Sequence, residues 1–228
     1  MNIMHFLVFL FFLSGGMAKG QSLIVGIPSS DVTPKDKKAI AFELQSDKSK
    51  KFGDQLSGFV FSTYGVSDSL EVGASVLNLS NTSRNSNDSL ILGYKKNFNL
   101  KESSSVKFVG AIGQMAGPSL VGEALAHWHY ALVSQELRAL SLRFTQGLSY
   151  ANRSVYGQNV PSIMLGLEHR WTDKWMGVID WYSGDHDYAA AIYAIQYRPV
   201  HALLAFLGWK QPNYKSTGSV MTEIAYEF

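Results

Sequence analysis

Cysteine is absent from this 228-residue chain, proline occurs only 6 times, and charged residues make up just 17%. The missing thiols exclude disulfide scaffolds, thiolate zinc sites, iron–sulfur ligation and a cysteine nucleophile. Little charge beside 13% aromatic residues excludes a disordered chain, which would show the opposite balance. With 20 Lys+Arg against 18 Asp+Glu the net charge is only +2, so the basic excess of a nucleic-acid binder is missing and no such partner is expected. Long apolar runs are missing too. The longest, residues 6–13, would reach about 12 Å as a helix against the ~30 Å of a hydrocarbon core. It is followed by small residues at 14–20, with Ala18 and Gly20 spaced as at a signal-peptidase site. Residues 1–20 are therefore read as a cleavable secretory signal, and the absence of cysteine excludes a lipoprotein anchor. The remaining length suits one domain of sizeable enclosed structure.

What is present is period two. From residue 38 onward apolar residues alternate with small or charged ones, and helical periodicity is almost absent. Leu90, Leu92, Tyr94 and Phe98 oppose Ile91, Gly93, Lys95 and Asn97. Ile163, Leu165, Leu167 and Trp171 oppose Met164, Gly166, Glu168 and Arg170. Val220, Ile224, Tyr226 and Phe228 oppose Ser219, Glu223, Ala225 and Glu227. Twelve such segments run over 39–46, 55–66, 70–79, 89–99, 106–116, 124–134, 136–150, 162–172, 175–183, 187–198, 201–211 and 217–228. Several approach ten residues, the length a tilted strand needs to cross a bilayer. Short and long connections alternate between them, and the long ones are polar and turn-like, as in 80–88.

An even number of strands, short turns on one side and longer loops on the other is the plan of an outer-membrane barrel. At twelve strands the small, charged face cannot pack a dry core as the interior of an eight-stranded barrel does. That face is expected to line a wet lumen, with the apolar face outward toward lipid. Tyr150, Trp171, Trp175, Tyr188, Tyr197, Trp209 and Phe228, all near strand ends, fit interfacial girdles.

The tail from Val220 to Phe228 resembles the C-terminal signal that outer-membrane β-barrel proteins present to the barrel-assembly machinery. Ile224, Tyr226 and Phe228 carry its alternation and its terminal aromatic, although Gly218 lies farther from the end than that signal's usual glycine. The chain thus resembles a small, porin-like bacterial outer-membrane barrel, and the likeness covers residues 38–228. It implies an all-β, antiparallel transmembrane barrel of about twelve strands. It also implies a Gram-negative outer-membrane location, lipid and the assembly machinery as partners, and passage or binding of small solutes. Residues 21–37 would form a periplasmic leader segment.

The lumen-facing charges expected on this plan are Glu43, Glu71, Glu168, Asp180, Glu223 and Glu227, with Lys95, Lys107, Arg143, Arg170 and Arg198. His127 and His129 are assigned to the same face. Acids and bases nearly balance, which suits an internal ion-pair network or a selectivity constriction. Arg143 is read as a mid-strand group with room and water around it. His127 and His129 have the spacing of two metal ligands, and Glu168 could complete a site. A solvated histidine pair explains them as well, so no metal, cofactor or catalytic residue is assigned. Asp185-His186-Asp187 reads as a polar outer turn, and no Gly-x-Ser-x-Gly or His-Glu-x-x-His motif occurs. A narrow channel or small-solute-binding barrel is the first reading, a structural or surface-interaction barrel the second, and a lipid-modifying outer-membrane enzyme the third.

Overall fold

The computed structural model describes residues 26–49, 53–80, 89–119, 125–156, 158–186, 188–214 and 217–228. The expected signal segment, 1–20, lies outside them. Twelve strands follow one another: β1 (Lys38–Ser49), β2 (Gly53–Ser67), β3 (Leu70–Ser80), β4 (Ser89–Glu102), β5 (Val106–Pro118) and β6 (Leu125–Leu137). They continue as β7 (Leu142–Ala151), β8 (Val160–Arg170), β9 (Trp175–Tyr182), β10 (Ala190–Val200), β11 (Leu203–Pro212) and β12 (Ser219–Glu227). Each pairs antiparallel with its sequence neighbour, and β1 closes the barrel on β12 from Ala39↔Glu227 to Ser46↔Val220. Closure leaves no open sheet edge, which is how a barrel satisfies its backbone in a bilayer.

The start of β1 and the end of β12 meet at one rim, where the Lys38 N–H donates to the Phe228 carbonyl at 2.9 Å and the Phe228 N–H to the Lys38 carbonyl at 2.8 Å. This terminal rim is turned by the short connections 68–69, 103–105, 138–141, 171–174 and 201–202. The opposite, loop rim carries most of the longer ones, including a four-residue helix, α1 (Arg153–Tyr156). One turn differs from expectation. The segment read as 136–150 is broken by a 3-10 turn at Arg138–Leu140, where Ser141 takes a positive φ of 51°. Arg143 is consequently the second residue of β7, near the terminal rim, and not a mid-strand group.

The outward face is apolar along the whole barrel. Leu148 is 63% exposed and Leu92 62%, and Phe42, Leu44, Phe144, Ile163, Ile179, Ile195, Leu207 and Ile224 join them. In water such a belt would aggregate; against acyl chains it is the favourable surface. Trp171, Trp175, Tyr197 and Phe228 sit on the outer face at the terminal rim, with Trp175 stacked on Tyr197 at 4.4 Å. Tyr150 and Trp209 lie outward toward the loop rim. Tyr188 departs from the expected girdle: it turns inward, packing edge-on to Phe59 and tilted against Tyr156.

The interior corrects the expectation of a wet lumen. Phe59, Ile91, Leu132, Met164, Val178, Ile192, Phe206 and Met221 all point inward and are buried together with Ile27, Val155 and Tyr156. Twelve strands leave more room than their own small residues can fill. The chain fills it from both ends, with residues 26–34 and with α1.

Candidate functional site

Of the segment 21–37, the described part crosses the barrel interior as a strap. Residues Ile27 and Thr33 precede Pro28 and Pro34, and a following proline biases a residue toward extended backbone. The extended chain then meets one wall after another. The Gly26 N–H donates to Asp180 Oδ2 on β9 at 2.8 Å, and Asn97 Nδ2 on β4 donates to the Ser30 carbonyl at 3.2 Å. The Thr33 N–H donates to Glu71 Oε2 on β3 at 2.6 Å, and its hydroxyl contacts the same oxygen at 3.0 Å. Lys95 Nζ sits 3.2 Å from the other oxygen of Glu71.

The strap then leaves the lumen over Gly65 of β2. The Asp36 N–H donates to the Gly65 carbonyl at 2.9 Å, and the Gly65 N–H to the Lys37 carbonyl at 3.0 Å. Asp36 turns the chain into β1 with a φ of 62°, a left-handed value that Asp tolerates better than most residues. A Cβ on Gly65 would stand 2.0 Å from the Pro34 carbonyl oxygen, so glycine is required for the close approach.

Arg143 is the hub. Its Nε and Nη2 bind the two oxygens of Glu168 at 2.5 and 2.7 Å, the fork geometry that favours Arg over Lys. Its Nη1 reaches Asp31 of the strap at 2.5 Å. One guanidinium thus ties strap to wall.

The expected lumen charges divide into three groups. Glu43, Lys95, Glu168 and Asp180 are buried inside with Glu71 and Glu223; Arg143 and Arg198 are inside and half-buried. Lys107 and Arg170 face inward at the terminal rim, where Arg170 is exposed. His127 and His129 are corrected: they lie on the outer face, their rings 5.2 Å apart, with His127 stacked on the lipid-side Tyr150. The inward positions of β6 are Ala126, Trp128, Tyr130, Leu132 and Ser134, the last bonded to Thr145 at 2.8 Å. Glu168 is inside and the histidines outside, so they cannot share an ion. Among the described residues no cluster of three His, Asp or Glu side chains is placed to hold a metal.

At the loop rim the Asp185-His186 turn is solvated on one side only, with Asp185 exposed and His186 turned inward. His186 is buried, stacked on Tyr156 at 4.0 Å, with Nε2 2.6 Å from Ser162 Oγ. The Tyr188 N–H donates to Nδ1 at 3.2 Å, so Nδ1 is the acceptor and the proton sits on Nε2, donated to Ser162. Both ring nitrogens are thus engaged in holding the loop. Burial pushes the His186 imidazole below its ordinary value. Tyr156 in turn bonds Ser149 at 2.8 Å, so α1 is pinned over the mouth.

Sequence reasoning missed the strap residues Asp31 and Thr33 and the inward aromatics Trp128, Tyr130 and Tyr182. A signal existed for Tyr130. Gly113 faces it in register, and a Cβ there would lie 2.1 Å from the Tyr130 ring.

A closed antiparallel barrel with an apolar exterior and a strapped, charge-lined interior defines the class: a porin-type β-barrel of the outer-membrane kind. Solved structures agree on that fold. The KdgM porin in complex with disordered oligogalacturonate is similar over 83% of this chain and 99% of that one, with a TM-score of 0.54 at 7% identity. The COG4313 outer membrane channel from Pseudomonas putida F1 is similar over 88% and 98%, with a TM-score of 0.53 at 10% identity. No protein-family model and no curated protein sequence matches the chain.

Proposed function

We propose that this protein is an outer-membrane channel for small solutes whose lumen is held shut by its own N-terminal strap. The carrying observation is the Arg143 bridge, which joins Asp31 of the strap to Glu168 of the wall. The apolar belt supports a bilayer location, with the short-turn terminal rim facing the periplasm. The porin fold of the neighbouring structures supports passage over catalysis. Proposed partners are outer-membrane lipid, the barrel-assembly machinery reading Ile224, Tyr226 and Phe228, and a small solute.

In this reading solute passes when the strap withdraws toward the periplasm, exposing Glu71, Lys95, Glu168 and Asp180 as the polar lining. The test is conductance in planar bilayers. The wild type should open rarely, and a variant lacking residues 26–34 should show larger and more frequent steps. Equal conductance in both would mean that the strap does not close the lumen, and none in either would make this a closed structural barrel.

A further inference from the structure

Inside the barrel lies a cavity of about 110 Å³, reaching the terminal rim where His201 and Ala202 of the β10–β11 turn line it. Small residues such as Ala41 and Ala225 make the room, and the inward rings of Phe61, Trp128 and Tyr130 are part of its lining. We infer that this cavity is a binding site for a small organic cation, an alkylammonium or guanidinium group, with Glu223 as its counter-charge.

The charges around the cavity decide its sign. The acidic and basic side chains lining it are Glu71, Lys95, Arg198, His201, Glu223 and Glu227. Glu71 and Lys95 neutralise one another, and Arg198 lies within electrostatic reach of Glu227. Glu223 stands apart. It is 3% exposed, and its Oε2 has no hydrogen-bond partner among the described residues. Across the β1–β12 ladder it faces Glu43 in direct register, a second buried carboxylate. Glu43 has the Gln45 amide, whose oxygen receives Lys210 Nζ at 2.9 Å. No equivalent donor reaches Glu223 Oε2.

A buried carboxylate oxygen without a donor is costly unless a cation or a proton satisfies it. The cavity beside it supplies the space for a cation, and the aromatic lining supplies faces that attract one. Its volume is enough to admit an ion with a short apolar body. An anion of the same size would meet an unsatisfied carboxylate.

The test uses the whole refolded barrel in detergent, titrated at constant ionic strength with propylammonium chloride, sodium chloride or sodium propionate. Propylammonium should raise the unfolding midpoint saturably and change tryptophan fluorescence, and the two sodium salts should do neither. Glu223→Gln should weaken propylammonium binding at least tenfold. Trp128→Phe should abolish most of the fluorescence change while the midpoint shift persists. If Glu223→Gln fails to fold, Ala41→Leu fills the cavity with Glu223 intact and should abolish binding. No saturable response to propylammonium overturns the site. So does a match by propionate, or wild-type affinity in either of the Glu223 and Ala41 variants. None of these readouts involves conductance, so the site stands or falls separately from the strapped-channel reading.

Discussion

Replacing Asp31 by Asn tests the strap with the least disturbance of the barrel. Asp31→Asn keeps the size of the side chain and removes the charge that meets Arg143 Nη1 at 2.5 Å. A hydrogen bond to a charged group contributes about 1.5–3 kcal/mol. The Asp31 side chain is 31% exposed, and solvent screening reduces the figure to about 1–2 kcal/mol. At 1.4 kcal/mol per tenfold, the ratio of strap-released to strap-docked barrels should rise about 5- to 30-fold. Glu168 keeps both of its bonds to Arg143 in this variant, so the unfolding midpoint should barely move. Arg143→Ala should release the strap too and also strand Glu168, a side chain only 3% exposed, at a cost of about 3–5 kcal/mol. Single-channel recording gives the open fraction, and the temperature at which heat-modifiability is lost on gels gives the stability. The reasoning is refuted if Asp31→Asn opens no more often than wild type while deletion of residues 26–34 does. It is equally refuted if Arg143→Ala leaves the barrel as stable as Asp31→Asn does.

Three further outcomes are expected. Gly65→Ala places a methyl group 2.0 Å from the Pro34 carbonyl and should displace the strap without changing any charge, giving conductance like that of Asp31→Asn; wild-type conductance would mean the strap does not need Gly65. Phe228→Ser removes the last lipid-facing ring, stacked on Tyr226 at 5.8 Å, and should lower the yield of folded barrel, measured as the heat-modifiable fraction. For His186, folding lowers the imidazole below its ordinary value, so the unfolded loop binds the proton more readily. The packing of α1 over the mouth is then fully stable above about pH 6.5 and weakens as pH falls below it. Protease cleavage at the loop rim should increase between pH 7 and 5, and His186→Phe, which retains the stack on Tyr156, should abolish that dependence.

The barrel itself was legible in the sequence because side-chain direction in a strand is a local property. Alternation needs only the pleat, and the outward set Leu90, Leu92, Tyr94 and Phe98 is as exposed in the fold as the period requires. The terminal aromatic and the contrast between short and long connections were likewise local. The face of β6 was not. His127 and His129 alternate with Trp128 and Tyr130, so both faces carry large rings, and a rule that sends large residues outward chooses the wrong one. The neighbouring strand decides: Gly113 leaves space inside for Tyr130, and the histidines are left outside.

What fills the lumen was a tertiary matter altogether. Asp31 and Arg143 are 112 residues apart, and Gly26 and Asp180 are 154 apart. Nothing in the spacing of either pair announces a bond. Hydrophobic periodicity reports which face of a strand is which, and it carries no information about a segment that lies across several strands at once. That the inward charges are held by a strap and an arginine fork, and that Glu223 is left facing a cavity, follows only once the barrel has closed and brought the walls within reach of one another.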